Sequence, residues 1–90
     1  MREIYWETQF KKDYKKVVKQ GKDLKKLKKV INLLAEGKPL PKKYKDHPLH
    51  GDLNNYRDCH IQGDRILLYK IDGKKLILSR TGSHAEVLGV

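Results

Sequence analysis

Tyr56-Arg57-Asp58-Cys59-His60-Ile61, Ile66-Leu67-Leu68-Tyr69-Lys70-Ile71 and Lys75-Leu76-Ile77-Leu78-Ser79-Arg80 follow one another within 25 residues, and each reads as a strand. They are rich in β-branched, aromatic and alternating apolar residues. Gln62-Gly63-Asp64 separates the first two runs, and Asp72-Gly73 separates the last two. Asp-Gly is a strong signal for a two-residue hairpin, because glycine supplies the positive φ that such turns need. The stretch therefore predicts an antiparallel meander.

Upstream, Arg2 to Trp6 predicts a further short strand. Thr8 can cap a helix whose apolar residues Phe10, Tyr14, Val17 and Val18 recur at helical spacing. Gly21 ends it, and Asp23 can cap a second helix with a stripe of Leu24, Leu27, Ile31 and Leu34 beside Val30. Gly37 and Pro39 stop that helix, Leu40 to Asn55 reads as a loop, and Thr81-Gly82-Ser83 turns into a short tail. The expected order is β-α-α-β-β-β. Such an α+β chain packs two helices on one face of a mostly antiparallel sheet, here as a single domain over residues 1–90.

The net charge is +10. Lys11, Lys12, Lys15, Lys16, Lys25, Lys26, Lys28 and Lys29 concentrate much of it on the two helices. They are the candidate contacts to RNA or a ribosome, with Arg65 added from the turn region; the alternative for a charge run is a solvated face. No apolar run approaches the ~18–20 residues of a spanning helix. Met1-Arg2-Glu3-Ile4-Tyr5-Trp6-Glu7 does not read as a signal peptide, so a cytoplasmic location with no membrane partner is expected. The one cysteine, Cys59, leaves no internal disulfide and reads as a small buried apolar residue.

All four histidines fall in the second half of the chain, at positions 47, 50, 60 and 84. His47, His60 and His84 stand beside charged or turn-forming residues, whereas His50 reads as surface. Histidine exchanges protons near neutrality, and Arg80 offers a fixed positive charge for a phosphate. By alternation Tyr56, Asp58 and His60 share a face, as do Leu76, Leu78 and Arg80. The face left open by the helices is expected to bring His60 and Arg80 within reach, with Asp64 beside His60. Asp58 reads as a partner for Arg57 or a helix lysine, and Trp6, Tyr14 and Tyr69 as core. No metal or cofactor is expected, since no two histidines have the i, i+4 spacing of a helical site and Pro48 separates His47 from His50.

Taken together, Tyr44-Lys45-Asp46-His47-Pro48-Leu49, Gly51, Tyr56-Arg57-Asp58-x-His60, Asp64, Ile66-Leu67-Leu68-Tyr69 and Arg80-Thr81-Gly82-Ser83-His84 resemble the YafQ branch of the RelE-type bacterial toxins. The resemblance implies the toxin of a type II toxin–antitoxin system, a ribosome-dependent endoribonuclease that cleaves mRNA and inhibits translation. It implies an acidic DinJ-type antitoxin in a hetero-oligomer, with the ribosome and mRNA as further partners. It assigns catalysis to His47, His60, Asp64 and His84, and phosphate contact to Arg80. The family often has a tryptophan where Arg65 stands and an aromatic where Leu88 stands, so base stacking is the property expected to differ. The rival readings are a non-catalytic basic module that binds RNA or ribosomes, and a degenerate toxin that only binds its antitoxin.

Overall fold

A computed structural model describes residues 1–53 and 55–89 of the chain, with the side chain of Asp52 left aside. Its elements run β1 (Glu3–Trp6), α1 (Thr8–Lys19), α2 (Lys25–Ala35), β2 (His47–Pro48), β3 (Arg57–Gln62), β4 (Arg65–Asp72), β5 (Lys75–Ser83) and α3 (His84–Leu88). Single 3₁₀ turns lie at Lys42–Tyr44 and Gly51–Leu53. The five strands form one mixed sheet in the order β1-β5-β4-β3-β2. Only β1 runs parallel to its neighbour, β5. The predicted meander is present as β3-β4-β5, with its second turn closed between Asp72 and Lys75.

The core lies between the sheet and the first two helices. Phe10, Leu27, Val30, Ile31 and Leu34 pack on Cys59, Ile61, Leu67, Tyr69, Leu76 and Leu78. These strand residues alternate with Asp58, His60, Ile66 and Leu68, which therefore face the other way. Burial of the helix stripes is the main source of stability for this layer. Trp6 is less buried than its size suggests, at 39% exposed. It covers the edge of the core through ring contacts with Phe10 and Tyr14, each at a centroid distance of 4.9 Å.

Several local expectations shift for identifiable reasons. Thr8 is the first helical residue of α1 and not its cap. Glu7 holds that position because its own N–H still completes the sheet by donating to the Leu78 carbonyl. Asp23 does accept the Lys25 N–H, although Leu24 lies between it and α2. The stretch expected to be loop contributes β2, an edge strand of two residues. Residues 81–83 do not turn away; they extend β5 to Ser83, and a third helix follows.

The decisive irregularity lies in β5. Leu68 pairs with Arg80 while Tyr69 pairs with Leu78, so Ser79 is an extra residue, a β-bulge. Without it, Arg80 would follow Leu76 and Leu78 into the helix-covered core. With it, Arg80 joins Leu68 on the open face. The bulge is held from α1 and its cap. Ser79 Oγ donates to Glu7, and Asp13 accepts both the Thr81 N–H and Arg80 Nε, the latter at 2.7 Å. Asp13 also accepts from Gln9, so its buried carboxylate is fully engaged.

α3 starts with a capping box. Ser83 Oγ accepts the Glu86 N–H, and the Glu86 carboxylate accepts the Ser83 N–H. Glu86 is further paired with Lys16 of α1. Gly82, at φ +146°, supplies a backbone conformation just before the cap that residues with a Cβ rarely adopt.

Two outcomes follow from these contacts. Asp13→Ala, which strands Arg80 and the Thr81 N–H, is expected to lower unfolding free energy by about 2–3 kcal/mol, read as a lower urea midpoint at unchanged slope. The contacts of Lys16 and of Ser83 hold the Glu86 carboxyl at about 2, well below the ordinary carboxylate range. A depressed folded value means that the capping box contributes fully above that ordinary range and fades only as pH falls toward 2. An NMR titration of the Glu86 side chain should therefore show no midpoint between pH 4 and 6.

Candidate active site

The open face carries the site in two rows across the sheet. In the first, His47 of β2 pairs with Asp58 of β3, Asp58 with Leu68 of β4, and Leu68 with Arg80 of β5. In the second, His60 pairs with Ile66, and Ile66 with Gly82. Just past Gly82, α3 opens with His84, whose ring folds back to within 4.8 Å of the His60 ring, centroid to centroid. The His47 ring lies 6.2 Å from the His60 ring. The three histidines thus form a continuous line, with His60 in the middle.

Each end of the line is held by an aspartate, and the partners differ from those expected. Asp64, in the β3–β4 turn, does not pair with His60. Its Oδ1 lies 3.0 Å from His84 Nδ1, and its carbonyl accepts the His84 N–H. With Nδ1 donating, the Nε2 atom of His84 is left for other partners. The turn is short, so the aspartate on it reaches the start of α3 more readily than it can fold back on its own strand. Asp58 pairs with neither Arg57 nor a helix lysine. It is 1% exposed and lies beneath His47, with Oδ2 3.6 Å from His47 Nε2. Its other oxygen is buried with no hydrogen-bond partner in the described protein. Arg57 instead forks onto Asp46, which also accepts the Tyr69 hydroxyl. Burial and the neighbouring Asp46 carboxylate both push that hydroxyl's pKa up, so it stays a donor.

Asp58 is the site residue that sequence reasoning passed over. Its signal was present: alternation places it on the His60 face, where a carboxylate meets no helix lysine. Its pairing with a two-residue edge strand could not be read from the pattern. His47, His60 and Asp58 offer ligand atoms within 4.8 Å of one another, so strands assemble the potential metal ligands that helical spacing did not suggest.

Arg80 shares the face, but its guanidinium is anchored to Asp13 and donates to the Glu86 carbonyl. The helix lysines are arranged differently from the histidines. Lys11, Lys12, Lys15, Lys25, Lys26, Lys28 and Lys29 are exposed on α1 and α2, the layer on the opposite side of the sheet. Lys16 is paired with Glu86, and Arg65 donates to the Asp23 carbonyl and to Gln62. A depression of about 360 Å³ lined by Lys22, Asp23, Gln62, Asp64, Arg65 and Ser83 joins the two sides next to His84. His50 is exposed, as expected.

This geometry has close counterparts. Over 89 residues the chain is 46% identical to the mRNA interferase toxin YafQ of Escherichia coli K12, covering 98% of this chain and 97% of that one. The structure of the Escherichia coli DinJ–YafQ complex contains a chain that superposes with a TM-score of 0.91 at 46% identity, covering 99% of this chain and all of that one. A metal-bound toxin from Helicobacter pylori superposes with a TM-score of 0.89 at 47% identity, covering 97% of this chain and 99% of that one. The family model for the bacterial toxin of the type II toxin–antitoxin system, YafQ, matches residues 2–89, and the chain belongs to that family.

Proposed function

We propose that this chain is an mRNA endoribonuclease that works on the ribosome in the cytoplasm, arrests translation, and is held inactive by an acidic DinJ-type antitoxin. The observation that carries the reading is the line His47-His60-His84, with an aspartate at each end and Arg80 on the same face. The mRNA interferase name of the Escherichia coli relative and its complex with DinJ support it. A net charge of +10 suits both an anionic substrate and an acidic inhibitor. No helix among the described residues is long and apolar enough to cross a membrane. The exposed helix lysines and Arg65 are assigned to rRNA and mRNA backbone contact.

The chemistry proceeds through the RNA's own 2′-OH. His60 accepts the 2′-OH proton, and the 2′-oxygen attacks the adjacent phosphorus. His84, oriented by Asp64, protonates the leaving 5′-oxygen. Arg80 offsets the charge that builds on the phosphorane, and His47, seated on Asp58, holds the phosphate between them. Each well-placed acid or base contributes ~10²–10⁴-fold. His47, Asp58 and His60 are the residues that would hold a metal ion, which would supply Lewis-acid polarisation there. The reaction above needs none, because histidine side chains supply both proton transfers.

Induced expression should arrest growth and translation, and His84→Ala or His60→Ala should relieve the arrest with the circular dichroism spectrum unchanged. Two folded alanine variants as toxic as the parent would sink the assignment. Cleavage of free RNA should be feeble and rise when ribosomes are added, whereas a non-catalytic binding module would bind without cutting in either case.

The products report the mechanism independently. The upstream fragment should end in a 2′,3′-cyclic or 3′-phosphate and the downstream one should begin with a 5′-hydroxyl. A 2′-deoxy substitution at the scissile nucleotide should abolish cleavage there. A 5′-phosphate on the downstream fragment would point to attack by water instead.

A further inference from the structure

The open face continues past the histidine rows, toward the end of the sheet away from Asp64. Lys70 of β4 pairs with Ile77 of β5, and Ile77 with Tyr5 of β1. Tyr56, two residues before Asp58, completes this row: Lys70 Nζ lies over its ring, 5.2 Å from the centroid. Alternation puts Tyr56 and Lys70 on the side of Asp58 and Leu68, with α1 and α2 on the other. Two residues of strand span about 6.8 Å, so this row is the immediate neighbour of His47-Asp58-Leu68-Arg80. A half-buried tyrosine ring on a sheet surface, with one lysine on a flexible stem above it, matches one nucleotide. The ring stacks the base, and the ammonium moves from the ring to the phosphate. The next row, Asp72, Lys75 and Glu3, sets two carboxylates against one cation. It repels a further phosphate, and an acidic peptide equally, so the platform serves a single nucleotide.

We infer that Tyr56 and Lys70 form a stacking platform for the mRNA base one place 5′ of the nucleotide that supplies the attacking 2′-OH. The direction rests on the proposed acid and base. His84 meets the leaving 5′-oxygen, so the downstream strand departs at the Asp64 end of the face. The upstream strand then runs the other way, past His47 and Arg80 and onto Tyr56. The platform thus fixes the strand on one side of the scissile phosphate, while the groups that move protons hold the other.

The test pairs protein variants with altered messages. Ribosome-bound message carries one abasic nucleotide, placed either at the proposed platform position or at the nucleotide whose 5′-oxygen leaves. Tyr56→Ala, Tyr56→Phe and Lys70→Gln are each checked for an unchanged circular dichroism spectrum. Tyr56→Ala and the upstream abasic site should each raise KM about fivefold or more with kcat little changed, and together no more than either alone. Tyr56→Phe, which keeps the π face, should behave as the parent, and Lys70→Gln should flatten the salt dependence of KM. With the downstream abasic site the loss from Tyr56→Ala should multiply. Losses that multiply with the upstream site would overturn the platform, and saturation with the downstream site would overturn its direction. An unchanged KM with weakened antitoxin binding would give the face to the protein partner and overturn the inference. If the parent cuts no ribosome-bound message, the proposed function fails, and photocrosslinking of single-stranded RNA bearing 4-thiouridine still decides the platform. Crosslinks on Tyr56 or Lys70, read by mass spectrometry, would uphold it, and their absence would overturn it.

Discussion

One surplus residue in β5 decides which way Arg80 faces. Strand alternation is rigid, so a cation two places after a core leucine belongs in the core unless the register breaks between them. Ser79 provides that break. A bulge of this kind is marginal by itself, because it gives up ladder hydrogen bonds. Here Asp13 takes over the Thr81 N–H, and Glu7 accepts the hydroxyl of the surplus Ser79. The same Asp13 oxygen receives Arg80 Nε, so one buried carboxylate fixes both the backbone distortion and the side chain that the distortion redirects. α1 thus reaches the open face without lying on it. It grips the edge of β5 beyond the point where β1 ends, and its lysines remain on the opposite layer.

A second fixed point governs the other end of the histidine line. Asp46 accepts from Arg57 and from Tyr69, two residues directly paired across β3 and β4. Lys45 adopts a left-handed backbone at φ 48° immediately before it. The chain is thereby turned so that the next residue, His47, enters as an edge strand above Asp58. Two of the three histidines owe their placement to loops pinned by carboxylates, the half-buried Asp46 before His47 and the exposed Asp64 beside His84. Only His60 sits in the middle of a regular strand pair. The helix-facing core and the site share strands but not side chains, which lets polar chemistry occupy one face while Cys59, Leu67 and Leu78 fill the other.

The repetitive parts of this architecture were legible in the sequence. The meander, the helical hairpin and the existence of a first strand follow from periodicity and from Gly and Asp at the turns, whereas the parallel pairing of that strand with β5 does not. The candidate site was legible as an inventory, and the resemblance to a toxin family ordered it. What escaped was pairing that depends on one residue more or less. Nothing in Leu78-Ser79-Arg80 announces a bulge, because its support comes from Glu7 and Asp13, more than 60 positions away. Asp64 was given to His60 because they are neighbours in sequence, but the turn aims it at α3. The third helix was readable: Ser83-His84-Ala85-Glu86 has the spacing of a capping box, and the glycine before it hid the signal by resembling a turn.

α3 buries none of its five residues in the core. A segment of that length has no helical stability of its own and is held by its cap, by Lys16, by the Arg80 contact to Glu86 and by Asp64 at His84. His84 opens this segment, so the acid proposed for the reaction rides on a part of the molecule that detaches cheaply. Local opening there is decoupled from the helix–sheet core. Thermal inactivation of such a protein should precede its melting, and should reverse fully on cooling. The fold is then a durable chassis that outlasts, and can repeatedly reassemble, a far more fragile catalytic state.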